Sequence, residues 1–224
     1  MEINPVALFH CPVGGKFGLP RQSGIVEGLK GRICFERKYR NPDAIRGLEG
    51  FSHIWLIWGF SCNKASDALT VRPPRLGGNT RVGVFASRSP FRPNPIGISS
   101  VRIESIDFEH CEIFVSGADL ADGTPIYDIK PYVRYCDSHP DALSGFVDST
   151  QWNELRVEFS SPALQDRLSE ALGEEGLKAL CGILAQDPRP QYAEDGDKKY
   201  GLTFSGHNIK FHVADSAAIV DSID

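Results

Sequence analysis

The chain has 224 residues, 41% of them apolar, enough for one substantial core with a smaller appendage. Nowhere do about 18 apolar residues run together, which speaks against a membrane-spanning helix. The formal charge of −5 would disfavour a nucleic-acid partner, but residues 1–160 carry 18 basic and 18 acidic side chains and residues 161–224 carry 6 and 11, so the deficit is confined to the C-terminal part.

In chain order, the first segment "MEINPVALFHCPVGGK" has no extended apolar region behind a basic one, and a cytoplasmic protein is expected. Six cysteines are spread along the chain without a C-x-x-C pair or histidines at zinc-type spacing. Reduced, mostly packed thiols and no metal are predicted. "PVALFH" (5–10), "RICFE" (32–36), "FSHIWLIWGF" (51–60), "VGVFA" (82–86), "GISSVRIESI" (97–106) and "CEIFVSG" (111–117) are rich in β-branched and aromatic residues and bounded by turn formers, so six strands are predicted. "SVRIESI" alternates, with Val101, Ile103 and Ser105 on one face. "IWLIWGF" does not alternate and reads as a central strand covered on both faces. Loop-like connectors between six strands point to a single closed or nearly closed sheet.

"NPDAIRGLEG" predicts one short helix in this part. After Ser149 the composition changes. Ser161 is placed as an N-cap with Pro162 as the first helical residue, and leucines at 164, 168, 172, 177, 180 and 184 form a stripe that Gly173 and Gly176 divide into two helices. "YGLTFS" and "NIKFHV" form a final hairpin. The expected organisation is a mainly β protein: a single-sheet β-barrel over residues 1–148 and a small α+β appendage over 155–215.

Three loops stand out. From Val71 to Ile103 there are six arginines and no acidic residue, a local positive field whatever the total charge. Within this segment "SRSPFRPNPIG" (87–97) holds three prolines that fix their own φ and bias Ser89, Arg92 and Asn94 toward extended geometry, so the loop is preorganised. "DLADGTPIYDIKPY" (119–132) offers three carboxylates and a Gly-Thr-Pro turn, suited to a general base or to holding ammonium and hydroxyl groups. "FHCPVGGKFGLPRQ" (9–22) runs from a strand end into a Gly/Pro loop with Lys16 and Arg21. No G-x-S-x-G, Walker loop, G-x-G-x-x-G or H-E-x-x-H is present.

Together, "RPPRLGGNTRVGVFASRSPFRPNPIG", "GLEGFSHIW", "DLADGTPIYDIKPY" and "LAQDPRPQY" resemble the TrmO family, also called TsaA-like or YaeB-like: tRNA methyltransferases that use S-adenosylmethionine. The resemblance implies a β-barrel enzyme, a homodimer, and methylation of the exocyclic N6 of threonylcarbamoyladenosine beside the anticodon. It also implies cofactor contacts from Cys11, Pro12, Val13, Ser52, His53, Arg88 and Ile98, and from the run Asp119, Leu120, Ala121 and Asp122. Family members usually carry Ser-Pro-aromatic where this chain has Cys11-Pro12-Val13.

The target nitrogen, part of a urea, is a poor nucleophile until its proton leaves, so a general base is expected, with Asp122, His53 and Tyr127 as candidates. Arg92 is assigned to tRNA phosphate, and Arg189, Tyr192 and Lys198 to the border of the anticodon loop, Tyr192 stacking on a base. Trp55 and Trp58 make the central strand too apolar for one covered face, consistent with a dimer. The alternative is a non-catalytic β-barrel that binds RNA or senses a small molecule with the same loops.

Overall fold

The computed structural model describes residues 2–150, 153–189 and 198–224. The first part contains the strands β1 (Ala7–His10), β2 (Lys30–Phe35), β3 (His53–Gly59), β4 (Thr70–Val71), β5 (Val82–Gly83), β6 (Ile96–Asp107), β7 (Glu112–Ser116) and β8 (Thr124–Pro131), with two short helices, α1 (Pro42–Ile45) and α2 (Arg134–Asp137). Six strands close into a barrel in the order β1-β2-β7-β6-β3-β8, every neighbouring pair antiparallel. Closure leaves none of the six an open edge.

The barrel interior is filled from alternate positions of each strand: Ala7 and Phe9, Ile33 and Phe35, Ile54, Leu56 and Trp58, Val101, Ile113, Val115 and Ile126. Phe9 lies over Gly31, where an added Cβ would come within 2.2 Å of the ring. On β3 the inward residues are Ile54, Leu56 and Trp58, while Trp55 turns outward, against Tyr132 and with its N–H donated to Asp137 Oδ2 at 3.0 Å. The two tryptophans therefore serve opposite faces.

Two expectations about the barrel are corrected. The run 82–86 is not a barrel strand: only Val82 and Gly83 are extended, paired with β4, and Val84–Ala86 is a single 3-10 turn that leaves Phe85 80% exposed. The sixth barrel strand is β8, which comes from the stretch expected to be a ligand loop. Its pairing with β1 and with β3 on either side overrides the weak strand preference of Pro125, Asp128 and Pro131. The alternation of "SVRIESI" also breaks at a bulge between Ile103 and Ser105, after which Ile106 packs against the core.

The second part is a four-stranded sheet, with β9 (Arg156–Phe159), β10 (Tyr200–Phe204), β11 (His207–Ala214) and β12 (Ala217–Ile223) in the order β10-β11-β12-β9, and one long helix, α3 (Pro162–Ala185). The Ser161 side chain accepts the Leu164 N–H at 3.3 Å, and Pro162 follows as expected. The helix is interrupted once, at Gly173 (φ 70°), a backbone conformation that suits glycine; Gly176 lies within the helical run. The hairpin of β10 and β11 forms around Ser205-Gly206. β9 and β12 are additional strands, and the sheet continues past residue 215, with β12 parallel to β9.

The two cores are tied by the segment between β1 and β2. Val13 is fully buried among the leucines of α3 and the inner face of the second sheet, together with Val26 and Leu29, and bridges to Phe204.

Candidate functional site

At the barrel end where β1 and β3 finish and β6 and β8 begin, the loops enclose a cleft of about 560 Å³, within the size range of small-molecule sites. Its apolar wall is Trp58, Phe60, Ile96 and Ile98, its cations are Lys16, Arg21, Arg88 and Arg92, and its single carboxylate is Asp119. Phe60 meets Trp58 edge-on with centroids 4.5 Å apart.

The proline-rich loop owes its shape to bonds that its missing donors do not interrupt. Its carbonyls do the accepting: Pro95 from Phe60 N–H at 2.9 Å and Arg92 from Ser66 N–H at 3.2 Å. Arg92 Nη1 donates to the Ser87 carbonyl at 3.1 Å, and the Ser87 hydroxyl donates to the Val84 carbonyl at 2.9 Å. Arg88 reaches across the cleft to the Gln22 side-chain oxygen.

Asp119 sits at the start of the turn into β8. Its Oδ1 accepts the Ser99 hydroxyl at 2.5 Å, and Ser99 in turn accepts the Trp58 indole N–H at 2.9 Å. Burial pushes the Asp119 carboxyl above the ordinary aspartate range, opposed by the Ser99 hydrogen bond and by the charge of Arg88.

Of the residues assigned to the cofactor, Arg88, Ile98, Asp119 and Ala121 line the cleft together. Leu120 is buried in the barrel core. Asp122 lies beside His10, whose Nδ1 is 3.1 Å from Oδ1, and the same oxygen accepts the Cys11 N–H at 3.1 Å. Cys11, Pro12 and Val13 join the barrel to the second sheet: Pro12 accepts the Ser205 N–H at 2.8 Å, and the Cys11 thiol approaches the Leu120 carbonyl at 3.4 Å. Burial raises that thiol to about 11. Ser52 and His53 stand at the other end of β3 from Trp58, hydrogen-bonded to each other at 2.9 Å, with the His53 ring against Tyr132.

Tyr127 occupies the bulge where β8 shifts register against β3, its hydroxyl against Gly59. Arg189 is 17% exposed and held by both Asp187 oxygens at 2.8 and 2.9 Å. Lys198 stands over the Tyr200 ring at 5.6 Å. Tyr192 lies outside the described residues. Sequence reasoning did not assign Phe60, Ser99 or Gln22 to a ligand. Only Gly97 hinted at the wall, being the position across from Trp58 that leaves room for its indole.

Among the described residues no group of three His, Cys, Asp or Glu side chains could hold a metal ion, and no helix is long and apolar enough to cross a membrane.

Residues 8–138 match the tRNA-methyltransferase O N-terminal domain and residues 153–224 the TrmO C-terminal domain. The tRNA (adenine(37)-N6)-methyltransferase of Escherichia coli is 36% identical over 229 residues, covering 100% of this chain and 97% of that protein. A candidate S-adenosylmethionine-dependent methyltransferase of Pseudomonas aeruginosa is 38% identical over 215 residues, covering 94% and 92%. The crystal structure of TrmO from Pseudomonas aeruginosa superimposes with a TM-score of 0.81 at 29% identity, covering 100% of this chain and 98% of that one. With both family domains matched in order and nearly the whole chain covered, this protein belongs to the TrmO family.

Proposed function

We propose that this protein transfers the methyl group of S-adenosylmethionine to the exocyclic N6 of adenine 37 in tRNA, and that the base it accepts is threonylcarbamoyladenosine. The observation that carries this reading is the cleft, where a buried carboxylate faces an arginine between aromatic and aliphatic walls, in a chain whose relatives are named tRNA (adenine(37)-N6)-methyltransferases. The donor set fits the cofactor. Its ammonium and ribose hydroxyls need acceptors, its carboxylate a cation, and its adenine an apolar slot; Asp119, Arg88 and the Trp58, Phe60 and Ile98 surfaces supply these types. The bound cofactor supplies an activated methyl group, so the chain's task is to align the reacting atoms and exclude water.

Arg88, Ile98, Asp119 and Ala121 are assigned to the cofactor, with Cys11 to Val13 and Asp122 bracing the loop beside it. Arg92 on the cleft rim is assigned to tRNA phosphate, with Arg189, Tyr192 and Lys198 toward the anticodon loop. The barrel is taken as the unit that holds the cofactor and the second sheet with α3 as the unit that shapes the target pocket. A reducing cytoplasm suits the tRNA substrate and the six free cysteines.

A homodimer is part of the same proposal. The outer face of β6 exposes Ile96 (40%) and Ile98 (56%) beside the exposed Phe91, an apolar surface at the cleft that a second copy would cover. A second copy would also be the means of bringing Ser52 and His53 to the cleft. Sedimentation at several concentrations tests this; a concentration-independent monomer refutes it.

Purified protein with S-adenosylmethionine should methylate tRNA that carries threonylcarbamoyladenosine and leave tRNA with plain adenosine at that position untouched, as read by mass spectrometry of the nucleosides. Comparable methylation of both refutes the proposed base specificity. Methylation of neither would return the chain to the non-catalytic module, which no observation here favours.

A further inference from the structure

We propose that Asp119 is the proton acceptor for the target nitrogen. This rests on the methyl-transfer reading above and assigns a step to one residue that sequence reasoning gave to three others.

The first argument is position. The cleft lining contains four cations, Lys16, Arg21, Arg88 and Arg92, one thiol, Cys62, and one carboxylate, Asp119. It contains neither histidine nor tyrosine. The three residues expected to serve as base do not line it. Asp122 is committed to the Cys11 N–H and to His10, His53 is at the opposite end of β3, and Tyr127 sits in the β8 bulge against Gly59.

The second argument is how Asp119 is held. The Ser99 hydroxyl, the Ser23 N–H and its own N–H donate to it, and a carboxylate offers about four acceptor sites, so capacity for one further proton remains. Trp58 fixes Ser99 from below, which fixes the carboxylate from its buried side. The groups that face it are Ser99 from β6, Arg88 from the proline-rich loop, and the Ser23 N–H; Lys16 and Arg21 from the segment after β1, Arg92 and Cys62 line the same cleft. Burial makes the carboxylate more basic than an ordinary aspartate, and Arg88 restrains that shift, which together favour proton acceptance near neutral pH.

The step balances. The nitrogen lone pair forms the bond to the methyl carbon, and the pair of the carbon–sulfur bond stays on sulfur, whose positive charge is lost. The electron pair of the N–H bond stays on nitrogen, and its proton passes to the Asp119 carboxylate. A cation and an anion become a neutral thioether and a neutral acid, and the acid returns its proton to solvent before the next turnover.

Three measurements test this. Calorimetric titration with S-adenosylhomocysteine should give Asp119→Asn a Kd within about threefold of the parent, while its single-turnover rate on modified tRNA falls by about 100-fold or more. In the protein without ligands, 13C NMR should show one carboxyl resonance, absent from Asp119→Asn, that titrates above the ordinary aspartate range. The parent's rate should fall as pH drops through that midpoint, and Ser99→Ala, which removes a hydrogen bond that stabilises the carboxylate, should move the acid limb to higher pH.

An Asp119→Asn protein that loses S-adenosylhomocysteine affinity in proportion to its rate would make Asp119 a cofactor ligand and overturn the proposal, as would an unchanged rate. If Asp119→Asn does not fold, an unshifted acid limb in Ser99→Ala overturns it. A parent protein that methylates no tRNA while binding S-adenosylhomocysteine fails the functional reading itself, and this step falls with it.

Discussion

Arg21 and Asp187 meet across 166 residues of sequence: Arg21 Nη2 donates to the Asp187 carbonyl oxygen at 3.3 Å. Arg21 lines the cleft, whereas Asp187 follows the end of α3 in a left-handed conformation, φ 45°, with its carboxylate gripping Arg189. The Asp-Pro-Arg run thus joins the second unit to the cleft rim through main chain and side chain together. Burial lowers the Arg21 pKa, opposed by the nearby Asp187 charge, so this arginine depends on its partner.

The first prediction follows from that tie. Asp187→Ala removes the carboxylate under Arg189 and places alanine at a positive φ. Hydrogen bonds to charged groups contribute about 1.5–3 kcal/mol, so a stability loss of that order is expected in urea unfolding. Asp187→Asn, which tolerates the same backbone, should lose less. Both should raise the KM for tRNA more than the Kd for S-adenosylhomocysteine. Equal stability of the two variants and the parent would show that the tie carries no load.

The second prediction separates the two arginines of the proline-rich loop. Arg88 reaches to Gln22 and its charge acts on Asp119, whereas Arg92 is anchored on the Ser87 carbonyl at the rim. Arg88→Ala should weaken cofactor binding. Arg92→Ala should weaken tRNA binding and reduce the slope of its salt dependence by about one. Equal loss of cofactor affinity in both variants would remove the distinction.

Much of the barrel is legible because β1, β2, β3, β6 and β7 are runs of β-branched and aromatic residues. β8 is not, since Pro125, Asp128 and Pro131 carry turn chemistry that only pairing on both sides overrides. The opposite error occurs at 82–86, where apolar residues suggest a strand but no barrel neighbour is available. In the cleft, Arg88, Ile98, Asp119 and Ala121 belong to long motifs and could be named from the chain alone. Ser99 could not, because its role arises from register: Ser99 pairs with Leu56 one step from Gly97 and Trp58, and only the folded barrel brings Asp119 within reach of its hydroxyl.

The third prediction uses the thiols as reporters. With its thiol raised to about 11 by burial, Cys11 has roughly one molecule in a thousand as thiolate at pH 8, and only the thiolate reacts. Cys62 and Cys136 are exposed, and Cys62 lines the cleft. Timed alkylation at pH 8 with peptide mapping should label Cys62 and Cys136 well before Cys11. As pH rises toward 11 the Cys11 rate should climb. S-adenosylhomocysteine should slow Cys62 and leave Cys136 unaffected. Labelling of Cys11 as fast as Cys136, or no protection of Cys62, would contradict the placement of the cleft.

The last prediction tests the cleft wall against the barrel core with two matched glycines. A Cβ on Gly97 would lie 2.4 Å from Trp58 Cε2, and a Cβ on Gly31 would lie 2.2 Å from Phe9 Cζ. Neither aromatic side chain can yield easily, since Phe9 is fully buried and Trp58 is 6% exposed. Overpacking of this kind costs about 1–3 kcal/mol, so Gly97→Ala and Gly31→Ala should destabilise the barrel by similar amounts. Their effects on the cleft should differ. Displacing the Trp58 indole removes its hydrogen bond to Ser99, shifts its edge-on contact with Phe60 and reshapes the wall beside Asp119. Displacing Phe9 disturbs only the packed interior. Gly97→Ala should therefore lose S-adenosylhomocysteine affinity by about tenfold, the equivalent of about 1.4 kcal/mol, with a change in tryptophan fluorescence, while Gly31→Ala binds close to the parent value at a temperature where both remain folded. If the two variants lose affinity equally, the cofactor is sensing barrel stability rather than the Trp58 wall, and the cleft would have to be sought elsewhere on the barrel.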